Sequence, residues 1–184
     1  PHMRAHRYGR IVLFSSSSGL GVAGQANYAA AKEGMVGFAR SLARELAEYG
    51  ITVNAVYPGA NTRMMAAVPE STRQRLREQA KSSPGSMQGP AEIVASPEPE
   101  EALAPENNAP KIVYLCTEAG GAITGRVIGT SGWTMSLYSQ RQVIRSIHKN
   151  GLWTLDELER LVPVSLTAGL VNPAPPEPSG RQPA

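Results

Sequence analysis

Gly9-Arg10-Ile11-Val12-Leu13-Phe14-Ser15-Ser16-Ser17-Ser18-Gly19-Leu20, followed by Gly24-Gln25-Ala26-Asn27-Tyr28-Ala29-Ala30-Ala31-Lys32 and by Gly50-Ile51-Thr52-Val53-Asn54-Ala55-Val56-Tyr57-Pro58-Gly59, sets the architecture of this chain. Ile11–Phe14 is an unbroken apolar run between a glycine and four serines. That is the pattern of a short strand buried on both faces, as in parallel sheets. Residues 26–49 carry a helical period, with Met35, Phe38, Leu42 and Leu46 as the apolar stripe and Gly50 as the stop signal. Ile51–Tyr57 reads as a second strand, ended by Pro58-Gly59. Strand, long helix and strand in this order form a βαβ unit, so the expected class is α/β with a parallel sheet.

The whole 184-residue chain is 41% hydrophobic but only 5% aromatic, so its core must be aliphatic. The net charge of +3 is spread along the chain without runs of like charge, which argues against a nucleic-acid partner. No apolar stretch approaches the ~20 residues of a membrane span, and a cytoplasmic protein is expected. The single cysteine, Cys116, ends the apolar run Ile112–Cys116. It is expected to be a buried thiol, and it offers neither a disulfide nor a metal-ligand set. Residues 1–81 read as the strand–helix–strand segment plus a polar helix at 70–81. Residues 82–108, rich in Pro and Glu, read as a mobile insertion. Residues 109–172 are expected to hold a helix near Pro110–Thr117, a strand at Arg126–Thr130 and short helices at 139–149 and 154–162. Thr154 and Glu157 form a capping box for the second of these. Residues 173–184 read as a disordered tail. Trp133, Leu137, Tyr138, Trp153 and Leu155 are expected to pack on the chain's own core or on a neighbouring subunit.

Tyr28 and Lys32 stand one turn apart on one helix face. A free phenol has a pKa near 10 and is a poor acid or base at neutral pH. An ammonium a few ångströms away favours the phenolate. With a hydroxyl to hold the substrate oxygen, such a pair suits proton transfer to or from an alcohol or carbonyl while hydride moves elsewhere. On spacing alone the pair is an ordinary solvated helix face, and its surroundings are what single it out. Together with Phe38-Ala39-Arg40-Ser41-Leu42-Ala43-Arg44-Glu45-Leu46, the run quoted above resembles the catalytic strand, helix and next strand of the short-chain dehydrogenase/reductase family, its ketoacyl-reductase-like members especially. A weaker likeness continues through Ala109–Gly132, in Val113-Tyr114-Leu115 and Ile123-Thr124-Gly125-Arg126-Val127-Ile128.

The resemblance implies a truncated Rossmann-like parallel sheet. It implies Tyr28 as general acid/base, with Lys32 lowering its pKa and binding the nicotinamide ribose, and a serine that orients the substrate oxygen. Counting back from Tyr28 by the family's interval gives Ser15, and counting forward from the strand gives Ser16. A loop Gly19–Gly24 that is one residue short favours Ser16. Pro58, Gly59 and Thr62 match the segment over the nicotinamide carboxamide.

The likeness begins at what corresponds to the family's fifth strand. The glycine-rich turn that brings a pyrophosphate to a helix N-terminus has no counterpart here. Neither has the residue that chooses between NAD and NADP, nor the asparagine that completes the catalytic group. Gly19-Leu20-Gly21 with Gly24 comes after the catalytic strand and is not read as a phosphate cradle. Three functions stay open. The first is a subunit of an oxidoreductase for a small-molecule carbonyl or alcohol, using NAD or NADP once a partner chain completes the site. The second is an inactive subunit that stabilises or regulates an active relative. The third is a cofactor-independent dehydratase or cyclase reusing Tyr28 and Lys32. A bare apolar edge on Ile11–Phe14 and a partly exposed helix stripe point to an oligomer, with another short-chain-dehydrogenase-like chain or with itself.

Overall fold

The computed structural model describes residues 1–22, 24–74 and 99–170. The chain divides into two units, Pro1–Ser139 and Gln140–Ala184. The first contains α1 (His2–His6), β1 (Gly9–Phe14), α2 (Ala26–Glu45), β2 (Ile51–Gly59), α3 (Arg63–Ala66), α4 (Ala109–Cys116), β3 (Val127–Ser131) and β4 (Thr134–Leu137). The sheet order is β1-β2-β3-β4, with the first three strands parallel and β4 antiparallel to β3. The expected α/β, Rossmann-like architecture is present. β4 adds to it: Gly132, at φ 50, turns the chain back on β3.

β2 is the centre of this unit. Its odd-numbered residues Ile51, Val53, Ala55 and Tyr57 pack with Val36, Ala39 and Ala43 of α2 and with Val127. Val56 faces the opposite way and packs with Leu115 of α4 and Ile128 of β3. The period-two alternation of a strand thus feeds two cores, one per face. Asn54 also points to the second face and is buried, with both ends of its amide satisfied. Its Nδ2 donates to the carbonyl of Ile123 at 2.7 Å, and its Oδ1 accepts from the amide of Arg126 at 3.0 Å. These bonds fix the entry of β3 beside β2.

Several expectations are corrected. α2 stops at Glu45, and a 3-10 turn at Ala47–Tyr49 carries the chain to Gly50. Gly50 has φ 68, and a Cβ there would collide with the carbonyl oxygen of Arg7, so only glycine fits. The inward face of α2 is Val36, Ala39 and Ala43, whereas Met35 and Phe38 are exposed and Leu42 and Leu46 sit at the margin. Small alanines let the helix lie close to the sheet, and the larger side chains stand off it. β1 is half-buried rather than buried on both faces, because it is an outer strand of the described sheet. Cys116 is exposed; its neighbour Leu115 takes the inward position on α4, and the next residue on a helix points elsewhere.

Of the polar helix expected at 70–81, residues 70–74 are helical and the rest lie outside the described residues, as do 82–98 of the expected insertion and the tail 173–184. The remainder of that insertion is built into the fold: 3-10 turns at Glu100–Leu103 and Pro105–Asn108 bury Ala102, Leu103 and Asn108. Of the large side chains near the end of this unit, Tyr138 packs edge-on against Tyr57 at 4.9 Å, while Trp133 and Leu137 are exposed.

The second unit, described to Leu170, has one helix, α5 (Leu155–Leu161). The helix expected at 139–149 is absent, and that segment has no regular structure. Thr154 caps α5 as expected: its side chain accepts from the amide of Glu157, whose carboxylate reaches back to the amide of Thr154. No helix among the described residues is long and apolar enough to cross a membrane.

Candidate active site

Parallel strands end together, so the loops beyond them are gathered at one rim, where α/β proteins bind ligands. β1 and β2 end side by side here, with Phe14 opposite Val56, and the amide of Ser15 continues the ladder by donating to the carbonyl of Val56 at 2.9 Å. α2 starts at the same rim and carries Tyr28 in its first turn and Lys32 in its second.

The end of β1 grips Lys32 at two points. The Lys32 Nζ donates to the carbonyl of Phe14 at 2.9 Å, and the Ser15 hydroxyl donates to the carbonyl of Lys32 at 2.6 Å. An ammonium has three donors and this bond uses one. The same ammonium lies 5.6 Å from the centre of the Tyr28 ring. Tyr28 is 44% exposed.

The two candidate serines have different surroundings. Ser15 is buried, and its hydroxyl proton is committed to Lys32. Ser16 is half-exposed and caps the 3-10 turn Ser17–Leu20, its Oγ accepting from the amide of Ser18 at 3.2 Å. That bond uses an acceptor and leaves the Ser16 hydroxyl its proton to donate.

Pro58 and Gly59 end β2 at this rim, the first half-buried and the second buried. The carbonyl of Gly59 accepts from Asn108 Nδ2 at 3.0 Å, and the amide of Asn61 donates to the carbonyl of Leu103 at 2.8 Å. Sequence reasoning misses this brace, because Asn108 stands far along the chain with no motif around it. Thr62 follows on the same connection and is exposed. The structure thus brings Ser16, Tyr28, Lys32, Pro58 and Gly59 to one rim, with Thr62 just beyond. Among the described residues no cluster of His, Cys, Asp and Glu is arranged for a metal ion.

The chemistry of this donor set fits the nicotinamide-ribose end of a dinucleotide: an ammonium and a phenol suit ribose hydroxyls, and a strand-end backbone suits a carboxamide. Gly19 backs onto the side chain of Glu33.

Comparison with known proteins identifies the family. The family described as short chain dehydrogenase matches residues 1–73. Nodulation protein G of Azospirillum brasilense is 38% identical over 135 residues, covering 72% of this chain and 48% of that protein. The 3-oxoacyl-(acyl-carrier-protein) reductase FabG of Aquifex aeolicus is 39% identical over 132 residues, covering 71% of this chain and 46% of the reductase. The crystal structure of a short chain dehydrogenase from Mycobacterium avium superposes with a TM-score of 0.63 at 30% identity, covering 92% of this chain and 47% of that one. The chain spans about half the length of the curated relatives it matches.

Proposed function

Because this chain belongs to the short-chain dehydrogenase/reductase family, we propose that it supplies the proton-transfer side of a carbonyl/alcohol oxidoreductase. Tyr28 is the general acid/base. Lys32 keeps it reactive and binds the nicotinamide ribose, Ser16 holds the substrate oxygen, and Pro58, Gly59 and Thr62 border the carboxamide. The remainder of the NAD or NADP site comes from a partner chain of the same family. The observation that carries this reading is the two-point grip of Phe14 and Ser15 on Lys32, which aims its ammonium toward an exposed Tyr28.

In the reductive direction Ser16 donates a hydrogen bond to the carbonyl oxygen and polarises it. A nicotinamide held by Lys32 and the Pro58–Gly59 strand end would supply the hydride that the carbonyl carbon takes up. As negative charge gathers on the oxygen, Tyr28 transfers its proton there, and the Lys32 ammonium stabilises the phenolate left behind. Oxidation of the alcohol runs the same steps backwards. Since one relative is a 3-oxoacyl reductase, a 3-oxoacyl thioester is the substrate class to try first.

The test begins with the native mass and composition of the assembly purified from its source. A family-related chain in fixed ratio is the expected finding, and a homo-oligomer that turns over without nicotinamide would sink the reading. In the assembly, Tyr28→Phe is expected to lower kcat by about 10²–10⁴-fold, the usual worth of a general acid/base. Ser16→Ala should lower kcat while Ser15→Ala chiefly lowers stability. Turnover indifferent to Tyr28→Phe would mean that this rim does no chemistry.

A further inference from the structure

Next to Lys32 on α2 stands Glu33, a half-buried carboxylate outside the predicted constellation. It touches the elements that carry the other site residues. Its Oε2 accepts from the Tyr57 hydroxyl at 3.3 Å, and Tyr57 directly precedes Pro58-Gly59 at the end of β2. On the other side, a Cβ added to Gly19 would lie 3.0 Å from the same Oε2 and 3.3 Å from the Glu33 Cβ and amide nitrogen. The turn that begins at Ser16 is therefore seated directly on Glu33. Helix, serine turn and strand end meet at one carboxylate.

We propose that Glu33 is a positioning residue: it locks the Ser16 turn and the Pro58–Gly59 strand end to the helix that carries Tyr28 and Lys32. This rests on the oxidoreductase reading for its catalytic meaning, but the lock itself is a matter of geometry. Burial, and then the charge and hydrogen bond of Glu33, hold the Tyr57 phenol above its ordinary pKa of 10.0, so it stays a donor to the carboxylate across the physiological range. Tyr57 is itself wedged against the edge of Tyr138, so the strand-end partner of the lock does not swing away. A Cβ at Gly19 would need Glu33 to give by a few tenths of an ångström, so the glycine lets the serine turn sit close on the helix.

The test is amide hydrogen exchange in the full chain. The reporters are Gly19 and Gly21 in the serine turn, bonded to the carbonyls of Ser16 and Ser18, and Asn61 beyond β2, bonded to that of Leu103. Glu33→Ala is expected to speed exchange at all three by about tenfold or more, at Asn61 through the lost hydrogen bond of Tyr57 to a charged group and at Gly19 and Gly21 through the lost packing beneath the turn. Ala55, bonded to the carbonyl of Arg126 in mid-sheet, should keep its rate. Glu33→Gln, whose amide oxygen still accepts from Tyr57, should recover most of the protection. Combining Glu33→Ala with Tyr57→Phe should add nothing at Asn61 beyond the single changes.

Three outcomes would overturn the proposal: reporters unmoved by Glu33→Ala, loosening of one segment only, or equal loosening of Ala55, which would mark a general loss of stability. In the active assembly Glu33→Ala should lower kcat more than it raises KM, with rescue by Glu33→Gln. Failure of the oxidoreductase reading shows separately, as turnover indifferent to Tyr28→Phe, and leaves the exchange rates to decide the role of Glu33.

Discussion

The first unit buries Val53, Ala55, Val56 and Leu115 completely, whereas no described residue from Gln140 to Leu170 is buried. In the first unit apolar area removed from water does the stabilising, at roughly 25 cal/mol per Å². In the second, polar contacts hold the chain. Lys149 Nζ donates to both carboxylate oxygens of Glu157, at 2.6 and 2.5 Å, the capping box closes the start of α5, and the Arg145 guanidinium donates to the carbonyls of Leu166 and Ala168. Meanwhile Val143, Ile144, Leu152 and Leu155 stay exposed. One chain thus contains a unit that excludes water and a unit that is tied down by hydrogen bonds. The two should respond to different perturbations.

Leu115→Ala should separate the two units most strongly. It empties a fully buried position and should cost about 2–5 kcal/mol in denaturant unfolding of the first unit, with amide exchange on α5 unchanged. A cost shared by α5 would show one cooperative unit instead of two. Next comes acid. The Lys149 ammonium, and then the amide of Thr154, hold the Glu157 carboxyl down at about 2. A depressed folded-state pKa gives stability that is present above the ordinary value of 4.5 and lost as pH falls towards 2. Protection of α5 should therefore fade across that window. Tyr57 shows the opposite sign: its pKa is raised, so its contribution is present below 10 and lost as pH climbs through the folded value. Loss of α5 at alkaline pH before the first unit would contradict this assignment.

Thr154→Ala removes half of the capping box while leaving the Lys149 bond, so it should cost about 0.5–2 kcal/mol, read from exchange on α5. Least of all is expected from Val143→Ser, at an exposed position, where a change within about 0.5 kcal/mol is the norm. A larger loss in the native assembly would mean that a partner covers this face.

Much of the first unit is legible in the sequence because its signals are local. Ile11–Phe14 is an unbroken apolar run, Ile51–Tyr57 is apolar but for Thr52 and Asn54, both are ended by turn residues, and Gly50 sits where only glycine fits. The pairing of Tyr28 with Lys32 needs nothing beyond helical spacing. The illegible features depend on who the neighbours are. Met35 and Phe38 look like a core stripe until the sheet selects Ala39 and Ala43. Cys116 and Leu115 are equally apolar, and only the docking of α4 decides which turns inward. Ser15 and Ser16 are indistinguishable as letters. The structure separates them by one hydrogen bond, from Ser15 to the carbonyl of Lys32. Glu33 carries a faint signal, a charge beside Lys32 on a helix face that must meet the serine turn. The capping box is readable from the spacing of Thr154 and Glu157, whereas 139–149 carries a periodic pattern yet takes no regular structure.

The pairing of β2 with β3 has a kinetic consequence. Ala55 meets Val127 across a long intervening stretch of chain, whereas Ser131 and Thr134 are joined by a tight turn. Hairpins close in about 1–10 μs, while parallel partners far apart in sequence wait on the entropy of a long loop. The β3–β4 hairpin should thus form early and drift until β2 arrives. Only then do Asn108 and Gly59 meet, so the brace on the rim is expected to close after the strands and helix that carry Tyr28 and Lys32.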